Sequence, residues 1–209
     1  MKGKIYFIVI ITSVITACSY IENKTNSNTS YQLTQKQEYI DSLKSEKIVI
    51  DTLFNQNKDK LLIFVKFGDN NEIMQIQNEN YPNNITSTFN ILKDSEGKII
   101  TISEFPFSES GDWNIIFTHY FDKDGKTFAF EKQANFFNSI CTDGVAYENQ
   151  TKYYSTDFQL IDDKYSLIDQ NGKELTILNC QFPYNFDYKI FKDISEFLQT
   201  NKIENYENK

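Results

Sequence analysis

The chain has no arginine, one histidine, three cysteines, three prolines and seven glycines in 209 residues. Without arginine, the planar fork that grips carboxylates and phosphates is missing, and lysine is the only strong cation. Acidic residues number 29 against 21 lysines, a formal charge of −8. Such a surface repels phosphate backbones, so nucleic acid is set aside as a partner. Few glycines and prolines rule out collagen-like and low-complexity chains. One histidine and so few cysteines make a poor ligand set, so no metal or other cofactor is expected. G-x-S-x-G, H-E-x-x-H, G-x-G-x-x-G and phosphate-loop patterns are all absent, and no residue is assigned as catalytic.

What is present begins at the N-terminus. Lys2 and Lys4 precede an apolar run from Ile5 to Val14. That run falls short of the roughly 20 residues a bilayer span needs. A positive start, a brief apolar core and a small residue before a cut site mark an export signal. Ile15-Thr16-Ala17-Cys18 resembles the lipobox of bacterial lipoproteins. The resemblance implies cleavage before Cys18, a diacylglyceryl group on its thiol and an acylated amine. Each buried methylene contributes about 0.8 kcal/mol, so two or three palmitate-length chains hold firmly. Ser19 stands where Asp favours inner-membrane retention in similar proteins, which implies the outer membrane of the cell envelope. Glu22 is a lone acid and leaves the periplasmic or surface face open. Loss of residues 1–17 would leave 192 residues and take the charge from −8 to −10.

Residues 18–33, rich in Asn, Thr and Ser, are expected as the lipidated cysteine and a flexible tether. Residues 34–203 read as one β-rich domain and 204–209 as a frayed tail. Thr34 and Gln37 form a capping-box pattern for a helix ending near Lys47. Ile48–Phe54 and Leu61–Phe67 read as a hairpin, followed by strands at Ile73–Gln77 and Ile85–Leu92. Trp113–Phe121 and Lys126–Phe136 form the best-defined hairpin. Further strands are expected at Val145–Tyr154, Asp157–Ile161, Tyr165–Ile168 and Glu174–Leu178. Ile190, Ile194, Phe197 and Leu198 are helically spaced, which predicts a closing helix over Ile190–Asn201.

The pattern D-x-x-G-K occurs three times, at Asp94/Gly97, Asp122/Gly125 and Asp169/Gly172. Asp opening a type I turn, with Gly in the left-handed position that follows, is the chemistry of a bulged hairpin. Aromatics make up 15% of the chain, and strands favour them. The expected fold is therefore mostly β: an antiparallel meander built from hairpins, with a short N-terminal and a C-terminal flanking helix. An α+β arrangement is the alternative. The stretch HYFDKDGKTFAFEKQANFFNS, with the preceding GDW, is similar to segments of uncharacterised Bacteroidota envelope lipoproteins. That resemblance implies a setting and no activity.

Cys141 and Cys180 are the thiols left after lipidation. In an exported chain they read as a disulfide, with two unbonded buried thiols as the alternative. His119 is expected to be structural, because nothing local supplies a partner for catalysis. Asp122 and Asp124 look like a fragment of a calcium loop, but the other two copies keep only the first Asp and the Gly, so the turn explains the motif. Asp157, Asp162, Asp163 and Glu148 could supply paired carboxylates. Trp113-Asn114, Phe136-Phe137 and Tyr153-Tyr154 could stack on sugars or simply fill a core. The leading expectation is a membrane-anchored, non-catalytic lipoprotein that binds another protein. The alternatives are a glycan-binding accessory lipoprotein and a carboxylate-based hydrolase.

Overall fold

The computed structural model describes residues 15–77, 80–137, 139–182 and 186–203, with side chains from residue 31 onward. Residues 1–14 of the expected signal segment 1–17 and the expected tail 204–209 lie outside the described residues, as does the side chain of Cys18. The chain divides into two compact units, residues 1–42 and 43–209. A single helix, α1 (Ile15–Gln56), begins in the first unit and ends in the second. It takes in the segment 18–33 that was expected as a tether. Among the described residues, no helix is long and apolar enough to cross a membrane.

The second unit is mostly β. Eight antiparallel strands form one sheet: β1 (Leu62–Phe67), β2 (Glu72–Gln75), β3 (Ile85–Lys93), β4 (Ile99–Pro106), β5 (Trp113–Phe121), β6 (Thr127–Phe136), β7 (Ala146–Tyr154) and β8 (Leu160–Asp169). Their spatial order is β2-β1-β3-β4-β5-β6-β7-β8. From β3 onward each strand pairs with the next, which is the hairpin meander the turn motifs implied. A short helix, α2 (Ile194–Thr200), follows the sheet.

All three D-x-x-G-K turns have the same geometry. In each, the Asp carbonyl accepts from the Gly N–H at 2.9–3.1 Å, and the Asp N–H donates to the Lys carbonyl at 2.8–2.9 Å. Each Asp Oδ1 also accepts from the amides two and four residues on, at 2.8–2.9 Å. Gly97, Gly125 and Gly172 take φ of 82°, 76° and 80°, a region a Cβ disfavours. The first two turns join β3 to β4 and β5 to β6. The third follows β8.

Four sequence expectations need correction. Ile48–Phe54 is not a strand: α1 continues to Gln56. Leu43 and Ile50 are buried while Ile48 and Val49 are 64% and 57% exposed, so helical spacing, not the local apolar run, sets which side chains are covered. Asp157–Ile161 and Tyr165–Ile168 are not separate strands. Leu160–Asp169 is one edge strand whose polar centre is largely exposed, and solvation lets it carry charge without breaking. Glu174–Leu178 forms only a bridge to Ile168 and a 3-10 turn at Ile177–Asn179. The closing helix is also shorter than expected. Asp193 caps it by accepting from Glu196 N–H at 2.8 Å, so residues 190–192 stay outside.

One sheet face is closed by the C-terminal segment. Phe182 stacks on Phe136 at 4.4 Å, and Tyr188 stacks on Phe117 at 4.9 Å and on Phe130 at 5.3 Å. Phe191 and Phe197 meet edge to face at 4.9 Å, above a cluster holding Phe89, Ile102 and Phe121. The backbone is stapled as well. Thr127 N–H donates to Lys192 O at 2.9 Å, Thr127 Oγ1 to Phe191 O at 2.7 Å, and Ile194 N–H to Gly125 O at 3.0 Å. Cys141 and Cys180 are joined as a disulfide with their Cα atoms 4.6 Å apart.

Candidate functional site

His119 belongs to the closed face. It is fully buried among Phe121, Phe130, Phe191 and Phe197, with ring centroids 5.0–6.2 Å away. Its Nε2 accepts from Phe191 N–H at 3.1 Å, so the ring is neutral with its proton on Nδ1. Nδ1 has no partner among the described residues. Burial pushes the imidazole down to about 3, against a smaller opposing effect of Glu196. A ring sealed in this way meets no substrate.

The acids singled out from sequence do not converge. Glu148 is paired with Lys132 at 2.7 Å and accepts from Tyr165 Oη at 3.1 Å. Asp162 is paired with Lys44 at 2.8 Å, and Asp163 accepts from Gln150 at 3.1 Å. Asp162 and Asp163 are consecutive on β8, so their side chains leave opposite faces of the sheet. Asp157 sits in the turn between β7 and β8. Asp122 Oδ1 is occupied by two backbone amides. Among the described residues, no three His, Cys, Asp or Glu side chains cluster as a metal site.

The other face of the sheet holds a different group. From Leu43 onward, α1 lies across it, with Leu43 and Ile50 against Tyr120, Phe128, Ala129 and Tyr153. Lys47 and Asp51, one helical turn apart, point at the same part of the sheet. The Lys47 ammonium donates to Asp51 Oδ2 at 2.9 Å and to Glu131 Oε2 at 3.2 Å, and lies 4.7 Å from the Tyr120 ring centre. Tyr120 Oη lies 2.8 Å from Asp51 Oδ1 and 3.2 Å from Glu131 Oε2, both acceptors for its single proton. Burial, and then the negative charges of Glu131 and Asp51, hold that phenol well above its ordinary value. Tyr120 is therefore a fixed donor and never a base.

Glu131 lies among four donors. Its Oε1 accepts from Asn149 and Thr151, each at 3.2 Å, while Oε2 faces Lys47 and Tyr120. Tyr120 and Thr151 each have one proton and a second acceptor, Asp51 Oδ1 and Asn149 Oδ1, so the donors committed to Glu131 are Lys47 and Asn149. Asp51 receives only two, and its side chain is 39% exposed. Glu131 thus positions Lys47 and Tyr120, and Asp51 is the carboxylate with capacity left for a ligand.

Beside this network the α1 face opens into a cleft of about 750 Å³. Its floor is set by strand register. Asn90 pairs with Ser103, Ser103 with Thr118, and Thr118 with Glu131, so four polar side chains form one row across β3 to β6. Phe54, Phe105 and Ile116 supply apolar wall. Sequence reading missed this site. Lys47 and Asp51 lay at a helix–strand boundary drawn too early, and the floor depends on pairings across 41 residues of chain. The one local signal was Glu131, a charge directly after the apolar run Phe128-Ala129-Phe130.

No protein-family model matches the chain, and no curated protein or solved structure matches it either.

Proposed function

We propose that this chain is a lipid-anchored envelope protein whose β domain is a non-catalytic binding module, with the cleft beside α1 as its ligand site. The anchor rests on the lipobox at Ile15–Cys18. The binding reading rests above all on the surroundings of Glu131: a buried carboxylate paired with Lys47, bonded by Asn149 and lying beside the Tyr120 and Thr151 hydroxyls is a scaffold, not an acid or base waiting for substrate. A polar-floored concavity of this size suits a small polar group better than a flat protein contact. That favours a glycan over the protein partner expected first.

The hydrolase reading stays second on one specific observation, the convergence of Asp51 and Glu131 on Tyr120. A single experiment separates the two. The mature protein in detergent micelles, wild type and Ile116→Trp, is screened on glycan and peptide arrays, with melting curves as a folding control. Capture by the wild type, lost in an equally stable Ile116→Trp variant, supports the cleft as the site. Undiminished capture by that variant removes the cleft from the account, and turnover of the captured ligand replaces binding with hydrolysis.

A further inference from the structure

The two ends of the sheet differ in what they show to solvent. β4, β6 and β8 finish where β3, β5 and β7 begin, since Pro106 pairs with Ser87, Phe136 with Trp113, and Ala146 with both Phe136 and Asp169. The connections at this end carry large apolar side chains in water. Tyr81 before β3, Phe107 after β4, and Phe137 and Ile140 after β6 are 49–73% exposed. Ile177 and Leu178, in the 3-10 turn beyond β8, are 49% and 90% exposed. By contrast, the hairpin turns Asp94–Lys98 and Asp122–Lys126 at the opposite end contain only Asp, Glu, Ser, Gly and Lys. Part of the apolar end is also held rigid. Ile140 has φ 65°, a left-handed conformation that a β-branched residue avoids, and such strain gathers where function requires it. The next residue, Cys141, is bonded to Cys180, and Gln181 N–H donates to Ser139 O at 2.9 Å. Ile140, Ile177 and Leu178 therefore sit on one stapled unit.

We infer that this end of the β domain enters the interface of a lipid bilayer, an inference that rests on the lipid anchor at Cys18. Separate apolar tips on different connections suit a fluid surface, which closes around each one. A protein partner would need a contour matched to all of them. A sugar would stack on the rings and leave Ile140, Ile177 and Leu178 in water, whereas a lipid interface takes aromatic and aliphatic side chains together. The anchor names the occupant. The 25 residues from Cys18 to Leu43 span about 38 Å as helix, so a bilayer is kept within that distance of the domain. The tips then add a second, intramolecular contact to the one the acyl chains make. With 29 acids against 21 lysines and no arginine, the chain repels anionic headgroups. The surface it favours is zwitterionic.

The test uses the one tryptophan of the chain, Trp113, which opens β5 and so lies at this end of the sheet. Bromine placed near the top of phospholipid acyl chains quenches tryptophan at short range. The mature protein acylated at Cys18, and an unlipidated Cys18→Ala form, are added to brominated phosphatidylcholine vesicles. Quenching of Trp113 by roughly a third or more is expected in the acylated form. Weaker, saturable quenching is expected as lipid is titrated onto Cys18→Ala. Ile140→Asn with Leu178→Ser should abolish both effects. The two positions are exposed and Asn accepts a left-handed φ, so melting curves should not move. Quenching that survives in this double variant overturns the inference. An acylated chain that sediments with the vesicles while Trp113 stays unquenched also overturns it, spares the anchor and leaves a protein as the partner of the apolar end. Stronger quenching by phosphatidylglycerol vesicles overturns the zwitterionic preference. An unacylated Cys18 in protein from the cells that make it, read by mass spectrometry, overturns the anchor, and the inference falls with it.

Discussion

The two faces of one sheet have been finished in opposite ways. The face under the C-terminal segment is largely aromatic: His119 is held neutral, the chain's own Phe182, Tyr188, Phe191 and Phe197 cover it, and its charges Lys132 and Glu148 are paired with each other. The α1 face is covered over only part of its width. Where the helix lies, charges are matched against one another; where it does not, a polar row forms the floor of a cleft. The first arrangement is what a fold needs for stability, since burying aromatic area is the main favourable term. The second is costly for a fold and useful for a site. Natural proteins place such locally unfavourable groups where function requires them.

The contrast can be broken most forcefully on the closed face. Phe197→Ala should cost about 3–5 kcal/mol, the range for a large aromatic lost from a tight core. Urea denaturation reads this as a lower midpoint, and a loss under 1 kcal/mol would mean the segment is not holding the face. Next comes the helix-side network. Glu131→Ala leaves Lys47 with Asp51 alone and the Asn149 amide without its acceptor, while Tyr120 keeps Asp51 and Thr151 keeps Asn149 Oδ1, for a loss of roughly 3 kcal/mol. The same denaturation series measures it, and the closed-face aromatic signals should stay unperturbed in NMR.

A third effect comes from pH. His119 is depressed to about 3 in the folded protein, whereas an unfolded histidine titrates near 6.5. Below that pH the unfolded chain binds a proton that the native state refuses. The contribution of His119 is therefore fully present above pH 6.5 and is lost as pH falls toward 3, by about 1.4 kcal/mol per pH unit. His119→Phe should flatten that part of the stability–pH curve between pH 6 and 4. An unchanged slope would place the titrating group elsewhere.

How much of this was legible beforehand follows from how local each feature is. The three Asp–Gly turns are specified within five residues, so the sequence displays them, and the hairpins they close come with them. The end of α1 was misread because Ile48-Val49-Ile50 has strand-like composition, and only the sheet beneath Leu43, Lys47 and Ile50 makes it helical. The cleft was invisible for a stronger reason. Asn90, Ser103, Thr118 and Glu131 align only through three strand pairings, and bulges after Leu92 and Tyr120 shift which side chains face α1. No local pattern encodes such a register.

The central claim is that the polar floor of the cleft serves a site and not the fold, and Asn90→Leu tests it most directly. Equilibrium unfolding of wild type and variant, without ligand, is the measurement. The account predicts that the variant is as stable as the wild type or more so by about 1 kcal/mol, because Asn90 Oδ1, a buried acceptor without a partner among the described residues, is exchanged for apolar contact. A destabilisation of 1 kcal/mol or more would show that Asn90 holds the sheet together, and the row would lose its claim to be a site.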